Sequence, residues 1–304
     1  MSIFAMIKGR RGASGFGYAS TAEEVTRGID LSGKTALITG VNSGLGQESA
    51  RVLALRGAHV IAVARSMEKA EAAAGELGEA TPVACELSNP ASVRACVESV
   101  KALDREIDML ICNAGIMALP KLQQECGYEM QFFTNHIGHF ILVTGLLDSL
   151  SETARVVMLS SEGHRLATRG VELDNLSGEK NYARWRAYGR SKLANLLFAV
   201  ELASRFEGSK RTANAVHPGV IRTNLGRHMN GVMNAGYAAI DLVYAKNIPQ
   251  GAATTCYVAT NAGLASVSGQ YFADCNIAKA TRTGRNLEVA GQLWKASEEL
   301  VAEL

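Results

Sequence analysis

The chain has 304 residues, of which 47% are hydrophobic, and its formal net charge is +2. That length and hydrophobic content are enough for one large α/β domain, and no linker-like or charged stretch divides the chain. The even mixture of acidic and basic residues excludes the basic surface that a nucleic-acid-binding protein requires.

Residues 1–30 are predicted to form an N-terminal extension ahead of a single domain over residues 31–304. The apolar run from Ile3 to Ile7 is too short for a signal peptide, and no run of about 20 apolar residues could span a membrane. An extension packed on the domain is expected, and a weak surface anchor is the alternative. Ser20 and Glu23 have the spacing of a capping box, which predicts a short helix ending near Arg27.

Short β-like runs alternate with helical stretches along the rest of the chain. Strands are predicted at residues 34–40, 58–64, 81–87, 108–112, 155–159, 212–216 and 269–273. Helices are predicted at residues 44–56, 67–77, 90–104, 128–150, 185–205 and 249–260. This alternation predicts a single Rossmann-type doubly wound α/β domain, with a parallel sheet of about seven strands and helices on both faces.

A glycine-rich turn, Gly40-x-x-x-Gly44-x-Gly46, lies between the first strand and the first helix. Glycines permit a tight turn and close backbone approach, so that a pyrophosphate can bind the free N–H groups of the helix N-terminus. An ordinary strand-to-helix turn is the alternative, because a chain with 30 glycines contains several such patterns.

Arg65 ends the second strand, where a dinucleotide would place its adenosine ribose. An acidic residue there would bond the 2′-hydroxyl of NAD, whereas a guanidinium can pair with the 2′-phosphate of NADP. Arg65 and the following Ser66 therefore favour NADP, with NADPH preferred over NADH. A solvated arginine that opens the next helix is the alternative.

Tyr188 and Lys192 lie four residues apart, which places both side chains on one face of a predicted helix. A lysine cation favours the phenolate, so the pKa of Tyr188 is expected below its ordinary value of about 10. Such a pair can exchange a proton with a carbonyl or alcohol oxygen. Because the spacing also arises by chance, the pair alone is weak support.

Taken together, the motifs resemble the short-chain dehydrogenase/reductase family across residues 32–274. They are Thr39-Gly40-x-x-x-Gly44-x-Gly46, Asn113-Ala114-Gly115, Ser160-Ser161, Tyr188-x-x-x-Lys192 and His217-Pro218-Gly219. The residues around Asn135 and Tyr188 are most similar to the branch of retinol dehydrogenases, WW-domain oxidoreductases and protochlorophyllide reductases. The resemblance implies an NADP(H)-dependent oxidoreductase that interconverts a ketone or aldehyde and an alcohol by hydride transfer.

The resemblance also assigns roles to the matching residues. Tyr188 would be the acid/base, Lys192 would bond the nicotinamide ribose and tune Tyr188, and Ser161 would hydrogen-bond the substrate oxygen, with Ser160 as the alternative. Asn135 would hold a water that links Lys192 to solvent. Glu86 stands where the family usually has aspartate beside the adenine. The implied cofactor contacts are Gly40, Asn42, Ser43, Gly44, Leu45, Gly46, Arg65, Ser66, Glu86, Leu87, Asn113, Ala114, Gly115, Tyr188, Lys192, Pro218, Gly219, Val220 and Thr223.

The resemblance implies that residues 224–247 form a substrate lid. Their apolar residues, such as Met229 and Tyr237, suit a hydrophobic ketone or alcohol; core contacts are the alternative. The predicted helices 128–150 and 185–205 are apolar on more than one face, and the family commonly pairs them, so a homodimer or homotetramer is expected.

Six scattered cysteines without a Cys-x-x-Cys pair predict reduced thiols, a cytoplasmic location and no metal site. Small-molecule substrates are the expected partners, with no nucleic acid and no membrane span. Two other functions are weighed: a catalytically silent NADP(H)-binding sensor or scaffold, and a sugar-nucleotide epimerase or dehydratase. The short stretch after His217 disfavours the second.

Overall fold

A computed structural model of the chain describes residues 9, 11–221 and 245–304. In this part of the chain a mostly parallel sheet of eight strands forms the centre, in the order β8-β7-β6-β5-β4-β1-β2-β3. The strands are β1 Thr35–Thr39, β2 His59–Ala64, β3 Ala80–Ala84, β4 Ile107–Cys112, β5 Leu150–Leu159, β6 Thr212–His217, β7 Tyr271–Ala273 and β8 Asn276–Ile277. The predicted parallel sheet is confirmed, with a short antiparallel strand, β8, added beside β7.

Helices cover both faces of the sheet. They are α1 Ala22–Val25, α2 Gly44–Leu55, α3 Met67–Ala74, α4 Pro90–Lys101, α5 Met130–Gly145, α6 Arg184–Arg205, α7 Ile248–Thr260 and α8 Leu287–Ala302. Helix α5 contains a π turn, Phe133–Ile137, between the α-helical segments Met130–Phe132 and Gly138–Gly145. A two-stranded hairpin, Gln124–Glu125 with Tyr128–Glu129, precedes α5.

The sheet separates two apolar clusters. One contains buried side chains of α4, α5, α6 and α8, and the other contains those of α1, α2, α3 and α7. Burial of one large apolar side chain contributes about 1.5 to 3 kcal/mol, so each face is stabilised by many such residues. The predicted doubly wound architecture is therefore confirmed.

Two predicted boundaries were wrong. The helix predicted over residues 128–150 ends at Gly145, and β5 begins at Leu150 rather than at residue 155. The apolar run of the predicted helix fits a buried strand as well as a helix, and hydrophobic periodicity alone does not separate the two. The capping box lies one residue later than predicted: the Thr21 hydroxyl accepts from the Glu24 N–H, and the Glu24 carboxylate accepts from the Thr21 N–H.

Helix α8 was not predicted, and it changes the interpretation of helices α5 and α6. Trp294 of α8 stacks on Phe198 of α6, with ring centroids 5.2 Å apart, and meets Phe140 of α5 edge-on at 5.0 Å. The surplus apolar residues of α5 and α6 are thus buried within one chain. A homodimer or homotetramer stays a prediction, but this pattern no longer supports it.

The described part of the N-terminal extension lies on the domain. The Asn276 side chain accepts from the Ser14 N–H and donates to the Phe16 carbonyl, and the Phe16 ring contacts Tyr257 of α7. All six cysteines are free thiols, and Cys126 is the one that is exposed. Within the described ranges, no helix combines the length and the apolar character needed to cross a bilayer. The cytoplasmic location stays a prediction.

Candidate active site

The matched motifs meet at one edge of the sheet, where the parallel strands end. Gly40 follows β1, Arg65 follows β2, Asn113 follows β4, Ser160 follows β5 and Pro218 follows β6. Strand order reverses between β1 and β4, and in doubly wound folds ligands bind in the crevice at such a point.

The glycine-rich turn provides room for a phosphate at the start of α2. Gly40 and Gly44 have φ values of 75° and 60°, a region that only glycine enters readily. A Cβ atom on Gly46 would lie 2.2 Å from the Gly40 carbonyl oxygen. The N-cap residue Ser43 makes no side-chain capping bond, so the first N–H groups of α2 are not occupied by it. This turn fits a bound pyrophosphate.

Thr39 joins the end of β1 to the loop after β4. Its hydroxyl oxygen accepts from the N–H groups of Asn113 and Ala114, both at 3.0 Å, and the Asn113 side chain donates to the Thr39 carbonyl at 2.8 Å. Thr39 is the first residue of the glycine motif, yet no role was assigned to it from the sequence. These bonds bring the predicted residues Asn113 and Ala114 against the glycine turn.

The residues predicted to contact adenosine have different surroundings. Arg65 is exposed, and no ion pair among the described residues involves it. Ser66 is the N-cap of α3 and makes no side-chain capping bond. The Glu86 carboxylate instead accepts from the Ser88 hydroxyl at 2.9 Å, and Leu87 is buried.

Tyr188, Lys192 and Ser161 lie together. The Lys192 ammonium is 5.8 Å from the centre of the Tyr188 ring and donates to the Leu159 carbonyl at 3.0 Å. A Cβ atom on Gly163 would lie 2.9 Å from the Tyr188 ring and 3.3 Å from the Ser161 hydroxyl, so both side chains lie against Gly163. The alternative serine, Ser160, is buried and donates to the Lys192 carbonyl. Only the second serine therefore faces the tyrosine.

Asn135 lies in the π turn of α5 and is held by the loop after β4. Its side chain donates to the Ile116 carbonyl and the Ser191 hydroxyl, both at 2.9 Å, and accepts from the Ile116 N–H at 2.8 Å. A Cβ atom on Gly115 would lie 3.0 Å from Asn135 Oδ1 and 3.4 Å from Lys192 Nζ. The Asn135 amide and the Lys192 ammonium thus both lie beside Gly115. Asn135 Oδ1 accepts one bond, from the Ile116 N–H, and retains a lone pair for a water.

Burial lowers the pKa of Lys192 to about 8 from its ordinary value of 10.5. Between these two pH values the unfolded chain holds a proton that the folded chain has released, so this lysine makes the fold more stable as pH rises. We expect the unfolding free energy of the wild type minus that of Lys192→Met to rise by about 2 kcal/mol between pH 7.5 and 10.

Urea denaturation of both proteins across that pH range measures the difference. The comparison with Lys192→Met removes contributions from other titrating groups that the two proteins share. A difference that stays constant, or shrinks as pH rises, would contradict the lowered pKa.

The turn after β6 is supported by a lysine that the sequence did not single out. A Cβ atom on Gly219 would lie 2.8 Å from Cδ of Lys246, and the Lys246 N–H donates to the Val220 carbonyl. The buried Lys246 ammonium pairs with Asp274 at 2.7 Å and lies over the Tyr18 ring at 5.0 Å. Pro218 is buried beside this turn. The predicted cofactor residue Thr223 and most of the predicted lid, residues 224–244, lie outside the described residues.

The comparisons with known proteins agree with this geometry. The sequence model of the short chain dehydrogenase family matches residues 34–232, which is more than half of the chain. The chain belongs to this family. It is therefore a short-chain dehydrogenase/reductase, an oxidoreductase that acts on CH–OH groups.

Two curated relatives cover nearly the whole chain. A chloroplastic short-chain dehydrogenase, TIC 32 A of Brassica napus, is 43% identical over 320 residues, covering 100% of each protein. Mouse retinol dehydrogenase 11 is 39% identical over 91% of this chain and 89% of its own length. These relatives place this short-chain dehydrogenase/reductase in the branch that includes the retinol dehydrogenases, as predicted.

Two solved structures share its fold. A Mycobacterium paratuberculosis protein is 34% identical with a TM-score of 0.74, covering 91% of this chain and 97% of that one. A Burkholderia cenocepacia short chain dehydrogenase in complex with NADP is 25% identical with a TM-score of 0.64, covering 80% of this chain and 96% of that one. The family binds NAD or NADP, and the glycine turn of this short-chain dehydrogenase/reductase is the place that fits such a dinucleotide.

Proposed function

We propose that this protein is an NADP(H)-dependent oxidoreductase in which Tyr188 transfers the proton between a ketone or aldehyde and the corresponding alcohol. The proposal depends on one observation: the Tyr188 ring and the Ser161 hydroxyl both lie against Gly163, with the Lys192 ammonium beside the tyrosine ring. Lys192 Nζ also lies near Gly115, in the loop after β4 that borders the glycine turn. We expect a carbonyl oxygen bound beside these side chains to meet both hydroxyl groups.

The chain's own groups account for the proton. In reduction, the Tyr188 hydroxyl donates to the substrate oxygen, while the Ser161 hydroxyl hydrogen-bonds the same oxygen and orients it. The Lys192 cation stabilises the phenolate that this transfer leaves, because opposite charges at short range favour the ionised form. The nicotinamide, when bound, supplies or accepts the hydride. The Asn135 side chain bonds the backbone of Ile116, next to Gly115 in the loop that lies against Lys192.

The choice of NADP over NAD rests on Arg65. It is exposed at the end of β2, and no carboxylate among the described residues pairs with it. The Burkholderia relative that was solved in complex with NADP supports the same choice. An exposed guanidinium that pairs with a 2′-phosphate contributes about 1.5 to 3 kcal/mol.

We therefore expect wild-type protein to bind NADPH ten- to hundredfold more tightly than NADH, an order-of-magnitude figure, and Arg65→Asp to erase or reverse the preference. Titrations of both cofactors at fixed ionic strength measure it, because salt screens an exposed pair. Arg105→Asp is the matched control: it makes the same charge change at an exposed arginine before β4, far from the site. Equal wild-type affinities for the two cofactors would remove the NADP assignment.

A hydrophobic substrate is supported by the relative whose name states retinol as its substrate. The test is a screen for NADPH consumption with steroids, retinoids, aryl ketones and aldehydes. Turnover of at least one compound, lost in Tyr188→Phe, supports the proposal. A protein that binds NADPH but turns over nothing across the panel would favour the sensor or scaffold function instead.

A further inference from the structure

Helix α5 carries a buried histidine to which the sequence assigned no functional role. His139 is fully buried, and it bonds groups on both sides. One ring nitrogen, Nδ1, lies 2.9 Å from the carbonyl oxygen of Asn135. The other, Nε2, lies 3.0 Å from the hydroxyl of Thr39, which is 100 residues away in sequence.

The hydrogen-bond roles follow from the partners. Burial lowers the pKa of His139 to about 4, so the ring is neutral and carries one N–H group. A carbonyl oxygen only accepts, so Nδ1 carries the hydrogen and donates to Asn135. Nε2 then accepts from Thr39, whose oxygen already accepts from Asn113 and Ala114 and has its own hydrogen to give.

The bond to Asn135 lies in an unusual stretch of helix. The Gly138 N–H bonds the Phe133 carbonyl, five residues back, where an α-helix would bond four residues back. A change of this register leaves a carbonyl of the turn short of its usual donor, and an unpaired buried carbonyl is costly. The His139 ring supplies a donor to the Asn135 carbonyl inside that turn.

We propose that His139 is a positioning residue that holds the π turn of Asn135 in register with Thr39, and so keeps the proton-transfer groups aligned with the dinucleotide turn. The connection runs from the glycine loop through Thr39 and His139 to Asn135, whose side chain bonds Ser191 beside Lys192. The inference rests on the proposed function, because it concerns the alignment of that site.

The test is His139→Phe, which keeps a buried ring and removes both bonds. We expect kcat to fall about 10- to 100-fold, since small misplacements of catalytic groups have effects of that size, while NADPH affinity stays within about threefold. The pH profile of kcat should also move, because Asn135, whose side chain lies near Lys192, loses a bond that fixes it. A purely structural role would lower the unfolding temperature without moving the pH profile.

Variants at each end of the connection test the two bonds. His139→Asn keeps a donor near the Asn135 carbonyl but is too short for Thr39, so we expect it to recover part of kcat. Thr39→Val removes the bond to His139 and also the two bonds that the hydroxyl accepts from Asn113 and Ala114, so its NADPH affinity is measured beside kcat. Its effect on kcat combined with His139→Phe should be less than multiplicative, because both break one connection. Thr39→Ser, which keeps the hydroxyl, should restore the wild-type pH profile.

His136→Phe is the matched control. His136 is equally buried in the same helix, but its ring bonds Ser297 of α8, away from the site. Similar losses of stability in the two histidine variants, with kcat lost only in His139→Phe, would support the inference. Unchanged kcat and pH profile in folded His139→Phe would overturn it while Tyr188→Phe still tests the function separately; no turnover in the wild type would instead overturn the proposed function.

Discussion

Tyr188→Phe is expected to bind NADPH nearly as the wild type does and to lose turnover by about 10²- to 10⁴-fold, the usual effect of removing a general acid. The substitution deletes one hydroxyl and keeps the ring that packs against Trp185, with centroids 6.3 Å apart. The glycine turn and Arg65 are not touched, and among the implied cofactor contacts only the Tyr188 hydroxyl is lost, so cofactor affinity should change little. Single-turnover rates and NADPH titrations on the same preparation measure both quantities.

Tyr257→Phe is the control for this experiment. Tyr257 lies on α7 against Phe16, on the opposite face of the sheet from α6, and its loss of a hydroxyl should leave turnover intact. If Tyr188→Phe retains more than about a tenth of wild-type kcat, the proton comes from another group and the assignment of the acid is wrong.

Gly46→Ala is expected to weaken NADPH binding by about 10- to 100-fold. The added Cβ atom would lie 2.2 Å from the Gly40 carbonyl oxygen and 2.5 Å from the Asn113 side-chain nitrogen. Neither atom can yield cheaply, because Asn113 is bonded to Thr39 and the Gly40 N–H to the Val63 carbonyl. Overpacking of this kind costs about 1 to 3 kcal/mol, and here the displaced atoms are those of the cofactor turn.

The increase in unfolding temperature with added NADPH measures the effect, since a ligand that binds only the folded state stabilises it by an amount that rises with the logarithm of its affinity. Gly75→Ala, at the end of α3, is the matched control: its Cβ atom would meet the Glu71 and Ala72 carbonyl oxygens at 3.4 and 3.7 Å, ordinary contact distances, and its φ is −60°. A full NADPH-induced shift in Gly46→Ala would mean that the cofactor does not approach this turn.

Much of the fold and of the site was predictable because both follow from local patterns. Buried runs such as residues 58–64 predict strands, and the carboxyl ends of parallel strands necessarily meet at one edge, which places the glycine turn after β1 and Ser161 after β5 on the same edge. The resemblance favoured Ser161 over Ser160, but local patterns could not separate them, since adjacent residues differ only in the side to which each points.

The remaining features could not be predicted for physical reasons. A π turn differs from an α-helix by one residue in hydrogen-bond register, so the pattern around Asn135 is the same for both. The bond between Thr39 and His139 joins residues 100 apart and has no local signal.

Helix α8, by contrast, has a local signal in the sequence: Asn286 caps it, and Leu293, Trp294 and Leu300 recur on one face.

The cysteines give this chain built-in reporters of local opening. Cys126 is exposed in the hairpin turn, whereas Cys85, Cys96 and Cys112 are buried in one apolar cluster and Cys256 and Cys275 in the other. A thiol reagent therefore labels the native protein once and reaches the others only when a face of the sheet opens. Mass spectrometry of labelled peptides over time would thus give separate opening rates for the two faces, without a single engineered residue.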